Sequence, residues 1–184
     1  MKTIKYLIYI LVTLSVIGTS VYTYYGGFTA PEFIIQPDGG YLLVYQQLSG
    51  DYKFSGQAIQ RTHDALSKQC NVESINGFGT YYDNPAFVEK NKLRFDAGCI
   101  VDMKDSAKLA SLEADYKIKT LPKAMYVSTE FPYKGSLSIM LGVMKVYPAF
   151  NQYVKQHALQ SEGPITEIYM MDEEKIRYLQ ELKK

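Results

Sequence analysis

Tyrosine is the residue type with the clearest chemical potential in this sequence. The 184 residues include 17 tyrosines and no tryptophan. A tyrosine combines a flat apolar ring with a hydroxyl group, which suits the wall of a binding pocket or a protein interface. Tyrosines also fill ordinary β-strands, so the composition is compatible with a binding site but does not locate one.

Side chains for nucleophilic or metal chemistry are scarce. The sequence has two histidines, His63 and His157, and two cysteines, Cys70 and Cys99. His63 and Cys70 are two helical turns apart, which is too far for a hydrogen-bonded base and nucleophile. The sequence also lacks a phosphate-binding glycine loop, a dinucleotide-binding glycine signature, a nucleophile elbow and a paired metal-ligand spacing. We therefore expect a protein that is not an enzyme and that uses no cofactor and no metal.

The charge balance bears on possible partners. The chain has 20 basic and 19 acidic side chains, so its net charge is close to zero. A face that binds nucleic acid needs clustered lysines and arginines that displace counterions. The longest basic cluster, at residues 90–94, is short and fits a solvated turn. We therefore expect no nucleic acid among the partners.

The N-terminal segment is strongly apolar. No charged residue lies between Tyr6 and Pro31, and "YLIYILVTLSVIGTSVYTYY" is about long enough to cross a bilayer as a helix. Lys2 and Lys5 precede it, and by the positive-inside tendency they keep the amino terminus in the cytoplasm. We predict a single-pass protein that contacts the lipid bilayer, with cytoplasmic residues 1–5, a transmembrane helix at 6–25, a linker at 26–39, and a domain at 40–184 on the exocytoplasmic side, either periplasmic or extracellular.

A cleaved signal peptide is the alternative for this segment. Residues 18–20 offer small side chains at a suitable spacing for cleavage before Val21. The apolar run continues past that point, and the tyrosines of residues 22–25 would form an interfacial aromatic belt. These features favour an uncleaved anchor. If the domain is exported, Cys70 and Cys99 could form one disulfide, although two reduced thiols fit the sequence at least as well.

Beyond residue 40 the chain repeats one order of elements: strand, helix, strand, strand. Tyr52-Lys53 and Tyr133-Lys134 mark the corner between the first strand and the helix of each half. The last segment fits a helix or a strand, and the symmetry of the halves favours a strand. We predict strands at 39–49, 78–83, 93–102, 124–131, 165–170 and 175–184, and helices at 55–70 and 136–159. Two such halves would form an α+β domain with a cleft where they meet.

The helix predicted at 136–159 has an unusual composition. Its first half, "SLSIMLGVM", is apolar on almost all sides. A helix that is hydrophobic all round is normally buried. We therefore expect this half to be largely buried.

The order of elements resembles that of the GyrI-like ligand-binding domain. The residues that carry the resemblance are Gly50 and Tyr52 before the first helix, and "EIY" at Glu167–Tyr169 with Asp172 three residues on. The motifs "YYDNP" at 81–85 and "FPY" at 131–133 are similar to those of a membrane-anchored member of the family. The resemblance implies the duplicated β-α-β-β (SHS2-type) fold that also serves as the effector-binding domain of bacterial transcription regulators.

The resemblance further implies binding of small, flat, aromatic and possibly cationic molecules in a tyrosine-lined cleft. Aromatic faces attract cations by about 0.5–2 kcal/mol each, and the charge of the ligand would satisfy a partly desolvated carboxylate. The matching acid is Glu167, with Glu130 as the second choice because it shares a strand face with Tyr126. The candidate walls are Tyr45, Tyr82, Tyr126, Tyr133 and Tyr169.

Two other functions stay open at this point. The domain could bind an unknown protein partner as a membrane-anchored adaptor, without any small ligand. Some family members resemble hydrolases that use a glutamate and a tyrosine in the cleft, where the carboxylate would act as general base on a water molecule. The sequence supplies both residue types but does not fix their geometry.

Overall fold

The computed structural model of the chain describes residues 2–161 and 163–183. Met1, at the start of the predicted segment 1–5, and Lys184, at the end of the predicted domain, lie outside the described residues, as does Glu162. Within the described residues, Thr3–Tyr24 is one helix that is long and apolar enough to cross a membrane. Its most apolar stretch is not buried against the rest of the protein. This helix, α1, runs over Lys2–Tyr24.

The rest of the described chain folds as an α+β domain. Its elements are β1 (Ile34–Asp38), β2 (Leu42–Ser49), α2 (Ser55–Ala65), β3 (Asn76–Tyr81), β4 (Arg94–Val101), β5 (Lys117–Thr120), β6 (Ala124–Pro132), α3 (Ser136–Gln156), β7 (Ile165–Met170) and β8 (Lys175–Glu181). Short 3-10 helices lie at Tyr52–Phe54, Lys90–Lys92, Met103–Leu112 and Met171–Glu173, and a π-helical turn, Leu66–Cys70, extends α2. The duplicated strand-helix-strand-strand order is therefore confirmed, including a strand for the ambiguous last segment.

The eight strands of the described residues form one antiparallel sheet in the order β1-β6-β8-β7-β3-β4-β2-β5. The halves join where β3 pairs with β7, with Gly79 opposite Glu167. Each half also lends a short strand to the other, because β1 pairs with β6 and β5 pairs with β2. The two short pairings meet where the Gly40 N–H donates to the Leu121 carbonyl and the Leu121 N–H donates to the Tyr41 carbonyl. These contacts curl the sheet into a half-barrel.

The two faces of the sheet are both buried, but by different means. Helices α2 and α3 cover one face, on which side chains such as Val44, Phe131 and Tyr178 form the core. The opposite face lies inside the curl of the sheet. It is filled by Leu43, Tyr45, Phe78, Ile100, Tyr126, Ile168 and Leu179. Successive residues of a strand point to opposite faces of the sheet. Alternate residues therefore pack either under the helices or inside the curl of the sheet.

The structure adds four details that the sequence did not predict. Strand β1 lies inside the segment expected as a linker, and β5 falls in a stretch for which no strand was predicted. Helix α3 ends at Gln156, before Ala158 takes a left-handed backbone angle of φ 50°. The first half of α3 is also less buried than expected, because Met140, Val143 and Met144 are 52%, 43% and 65% exposed.

The two cysteines are free thiols, so the disulfide alternative does not hold in this structure. Cys99 is buried in β4, whereas Cys70 is half-buried at the end of the π-helical turn. The Sγ atom of Cys70 lies 3.3 Å from the hydroxyl of Ser111. Each thiol therefore has its own surroundings in a different part of the fold.

Candidate functional site

A cleft of about 900 Å³ opens between the two helices, above the strands that join the halves. Helix α2 contributes Ile59 and His63 to its lining, and helix α3 contributes Ile139 and Val143. The floor comes from β3 and β7. Glycine at position 77 lets Ile59 pack closely on this floor, since a β-carbon there would lie 2.8 Å from the Ile59 side chain. The cleft thus forms where the duplicated halves meet.

Glu167 lies on the cleft floor and is only 2% exposed. The Tyr147 hydroxyl donates a hydrogen bond of 2.7 Å to its Oε1, and the Tyr169 hydroxyl donates one of 2.8 Å to its Oε2. Burial raises the pKa of the Glu167 carboxyl above its ordinary value, while the two tyrosine hydrogen bonds lower it. The carboxylate is therefore desolvated but still held by two donors.

A chain of hydroxyl groups extends from Glu167 along the floor. The Tyr169 hydroxyl lies 2.9 Å from the Tyr81 hydroxyl, which lies 3.1 Å from the hydroxyl of Ser55 at the start of α2. Each hydroxyl carries one hydrogen. The Tyr169 hydroxyl donates to Glu167, so the single hydrogen of the Tyr81 hydroxyl has two acceptors within reach, the Ser55 hydroxyl and the Tyr169 hydroxyl. The chain of hydroxyls links the Glu167 carboxylate to the start of α2.

The tyrosines around Glu167 stay protonated. Burial, reinforced by the nearby Glu167 charge, raises the pKa of Tyr147 and of Tyr169 well above the ordinary value. The pKa of Tyr81 is raised for the same two reasons. These rings act as neutral hydrogen-bond donors with apolar faces. Among the described residues no lysine, arginine or histidine pairs with Glu167.

Three of the predicted site residues lie together at the cleft. Glu167 and Tyr169 form its floor, and Tyr133 lines its wall near the start of α3. Tyr45 and Tyr126 lie instead in the core inside the curled sheet. The Tyr126 hydroxyl donates to the Pro122 carbonyl at 2.8 Å, which fixes that ring away from the cleft.

Glu130 and Tyr82 also lie away from the cleft. Glu130 accepts hydrogen bonds from Lys175 at 2.8 Å and from Arg177 at 2.9 Å, so its charge is already balanced. The Tyr82 hydroxyl donates to Asp96 at 2.7 Å. The shared strand face of Glu130 and Tyr126 is real, but it is the face that points away from the helices.

Sequence reasoning missed Tyr147, Tyr81, Tyr52 and Ser55 as candidates. Tyr147 follows Ile139 and Val143 at intervals of four residues, so the three share one helix stripe. That spacing could have placed Tyr147 near the cleft. Tyr81 belongs to the quoted motif "YYDNP", in which Tyr82 was chosen instead. Tyr81 and Tyr82 are adjacent and point to opposite sides, and the sequence alone does not show which of them faces the cleft.

The cleft has few side chains suited to nucleophilic or metal chemistry. The Cys99 side chain contributes to the lining, but burial raises the pKa of its thiol to about 11, so it stays protonated near neutral pH. His63 Nδ1 lies 2.8 Å from the Ser74 hydroxyl at one end of the cleft. Within the part of the chain that the structure describes, no group of His, Cys, Asp or Glu side chains could hold a metal ion.

Comparison with known proteins bears directly on this arrangement. Residues 32–182 match the GyrI-like small molecule binding domain. The chain belongs to the GyrI-like family. The matched residues, 32–182, cover both halves of the duplicated domain and include β1. The expected family and fold class are therefore confirmed.

Two curated proteins are similar to this chain in sequence. Human testis-expressed protein 264 is 31% identical over 129 residues, which cover 66% of this chain and 41% of that protein. The mouse homolog is 29% identical over 128 residues, with the same coverage of 66% and 41%. This chain therefore spans less than half the length of these relatives.

Solved structures support the fold. The EcmrR C-terminal domain superposes with a TM-score of 0.62 at 12% identity, covering 84% of this chain and 98% of that one. SAV2435 bound to tetraphenylphosphonium superposes with a TM-score of 0.53 at 15% identity, covering 83% of this chain and 94% of that one. A protein of this fold has thus been solved with a small aromatic cation.

One expectation about partners is corrected by these structures. No nucleic acid was expected among the partners, yet EcmrR in a complex with DNA superposes with a TM-score of 0.62 at 13% identity, covering 94% of this chain and 65% of that one. The expectation was wrong because it was drawn from the net charge and the lack of a long basic cluster. The charge of one chain describes its own surface, whereas it does not determine the assemblies in which a fold takes part.

Proposed function

We propose that this GyrI-like domain binds a small aromatic cation in its cleft, with Glu167 as the counter-charge. The observation that carries the proposal is the state of Glu167. Its carboxylate is 2% exposed, two tyrosines hydrogen-bond to it, and no described basic side chain balances its charge. An unpaired buried carboxylate is costly when ionised, and a bound cation would offset that cost.

The cleft also supplies an apolar, aromatic surface for such a ligand. Tyr52, Tyr81, Tyr133 and Tyr169 all contribute to its lining. Its volume of about 900 Å³ lies within the range of about 300–1,000 Å³ that is typical of small-molecule sites. The tetraphenylphosphonium bound to SAV2435 supports a cation of this kind. We propose binding without catalysis, since each oxygen of the Glu167 carboxylate already accepts a tyrosine hydrogen bond, which makes the carboxylate a weaker base toward water.

The proposal includes membrane anchoring by α1. The helix is apolar over Thr3–Tyr24, and none of its most apolar stretch is buried against the domain. Lys5 at its start supports a cytoplasmic amino terminus, with the domain on the exocytoplasmic side. Alkali extraction of membranes followed by mass measurement of the whole chain tests this part. A soluble product that begins near Val21 would show a cleaved signal peptide instead.

The ligand proposal is tested by titrating the full chain in detergent with tetraphenylphosphonium in a calorimeter. Removing one partner of a buried charge pair costs about 2 kcal/mol or more, so Glu167→Gln should weaken binding about 30-fold or more. Glu130→Gln is the matched control, because it makes the same substitution on the other face of the sheet. Equal affinities for the wild type and Glu167→Gln would refute the proposal.

A protein-binding role is the competing proposal. The exposed apolar residues Ile75 and Met171 border the cleft and would suit a protein partner. A partner that covers the mouth would contact this rim and leave the buried Glu167 untouched. Glu167→Gln would then preserve partner binding, whereas Ile75→Gln would weaken it.

A further inference from the structure

The outward face of α3 changes character along its length. In the first half it presents Met140, Val143 and Met144, which are 52%, 43% and 65% exposed, and no residue from Ser136 to Met144 is charged. In the second half it presents exposed Asn151 and Lys155. A surface helix of a soluble domain usually carries polar residues on its outward face. The first half of α3 departs from that pattern, so an apolar partner is expected to cover it.

The end of α1 is attached to this same half of α3. The Ser138 hydroxyl donates to the Tyr25 carbonyl at 3.3 Å, and the Lys145 ammonium group donates to the Gly27 carbonyl. Gly26 is buried with a positive φ of 88°, and a β-carbon there would lie 3.1 Å from the ring of Phe131. The chain therefore leaves α1 and docks at once along α3.

These contacts limit how far the exposed methionines lie from the end of α1. Tyr24 is one residue from Tyr25, a step of about 3.8 Å, and a helix rises about 1.5 Å per residue from Ser138 to Met144. The apolar face is thus on the order of 10–15 Å from the last residue of α1. The polar layers of a bilayer add about 10–15 Å to its hydrocarbon core, or about 5–8 Å on each side, and interfacial helices insert their apolar face about 5–10 Å into this boundary. A face that lies beside the end of α1, along the membrane plane, therefore meets this layer.

We infer that Met140, Val143 and Met144 form a lipid-contact face that rests on the bilayer interface. The inference depends on the proposed anchoring by α1, since a cleaved chain would have no membrane beside α3. Met140 and Val143 also line the mouth of the cleft. The same contact therefore brings the mouth of the cleft to the membrane surface, where a lipophilic cation dissolved in the bilayer could enter it.

The absence of tryptophan makes a direct test possible, because an introduced tryptophan is the sole indole in the chain. Three full-length variants are reconstituted in phosphatidylcholine vesicles, with and without lipids brominated near the glycerol end of the acyl chains. Tyr9→Trp reports on insertion of α1, Met144→Trp on the lipid-contact face, and Lys155→Trp on the polar half of the same helix. All three positions are exposed, so the folded domain tolerates the larger ring.

The inference predicts that brominated lipid quenches Tyr9→Trp and Met144→Trp several-fold, with Met144→Trp emission shifted to shorter wavelength, and leaves Lys155→Trp almost unchanged. Quenching of Tyr9→Trp without quenching of Met144→Trp would overturn the lipid-contact face and leave the anchor intact. Absence of quenching at Tyr9→Trp would overturn both the anchor and the inference. Equal quenching at Met144→Trp and Lys155→Trp would also overturn the specific face, since the whole helix would then lie in lipid.

Discussion

Tyr169 donates a 2.8 Å hydrogen bond to Glu167, its neighbour two positions back on the same strand and the same face of the sheet. Both side chains are almost fully buried, and the Tyr169 hydroxyl is in turn linked to Tyr81 at 2.9 Å. One short motif thus supplies both a buried carboxylate and a tyrosine hydroxyl that donates a hydrogen bond to it. A second donor, Tyr147, arrives from the helix above.

The affinity for a cation should depend on pH in a defined direction. Burial raises the folded-state pKa of Glu167, so the carboxylate ionises only as the pH rises through that raised value. Tetraphenylphosphonium should bind more tightly above this transition than below it. Calorimetric titrations at a series of pH values check this, and Glu167→Gln should show a flat profile. A wild-type affinity that falls as pH rises would contradict the account.

Stability should show the opposite trend. A carboxyl with a raised folded-state pKa contributes stability that is fully present below its unfolded pKa of about 4.3, and this stability is lost as pH rises through the folded value. The free energy of unfolding of the wild type, relative to Glu167→Gln, should therefore decrease across this window. Urea unfolding of both proteins over that pH range measures it. A constant difference would mean that Glu167 does not titrate with a raised pKa.

Tyr147→Phe should shift the pH dependence of binding. It removes a hydrogen bond to a charged group, which is worth about 1.5–3 kcal/mol, so the pKa of Glu167 should rise by about one unit or more. The midpoint of the binding-versus-pH curve should move upward by the same amount. Tyr153→Phe is the control, because Tyr153 lies on the same helix but packs against Phe33. Equal shifts for both variants would show a general effect of losing a hydroxyl.

Gly79→Ala should disrupt the hydroxyl chain. An added β-carbon would lie 2.7 Å from the Tyr81 hydroxyl oxygen, so that ring must move and its link to Tyr169 must weaken. Overpacking of this kind costs about 1–3 kcal/mol, which thermal unfolding would detect. Gly56→Ala is a contrasting control, because nothing lies near its added carbon in α2 and it should stabilise by about 0.5–1 kcal/mol. An unchanged melting temperature for Gly79→Ala would contradict the close packing.

Tyr178→Phe should increase stability. The Tyr178 hydroxyl is fully buried and has no hydrogen-bond partner among the described residues, so its removal relieves a desolvation cost of about 1–3 kcal/mol. The same oxygen lies 2.4 Å from the position of a β-carbon on Gly142. Gly142→Ala should therefore be destabilising alone and less so in the Tyr178→Phe background. Equal penalties in both backgrounds would show that the hydroxyl is not the obstacle.

Much of the fold could be predicted from the sequence because the duplicated order of strands and helices follows from local residue patterns. Apolar runs of strand length, a helix stripe and the repeated Tyr-Lys corner each have a local cause. Strands β1 and β5 have no such signal. "IIQPD" contains a proline, and "KIKT" has two lysines in four residues. Both become strands because the other half of the molecule offers them an edge, which is a long-range effect.

The candidate site was predictable only in part, for a related reason. Glu167 and Tyr169 were found because one motif holds both. Tyr126 and Glu130 were placed on a shared face correctly, but which face points to the helices depends on the pairing of β6 with β8. Tyr147 comes from a different element and meets Glu167 only after α3 packs on the sheet. The exposed methionines of α3 likewise could not be foreseen from a composition that is typical of a buried helix.

The central claim is that the cleft recognises positive charge, and a matched pair of ions tests it most directly. Tetraphenylphosphonium and tetraphenylborate have nearly the same shape and opposite charge. Each is added to the full chain in detergent, and the melting temperature is followed with ligand-free and Glu167→Gln samples alongside. The account predicts that the cation raises the melting temperature of the wild type, because a ligand at a hundred times its Kd adds about 2.7 kcal/mol, and that the anion does not. Equal stabilisation by both ions, or stabilisation by the anion alone, would contradict it.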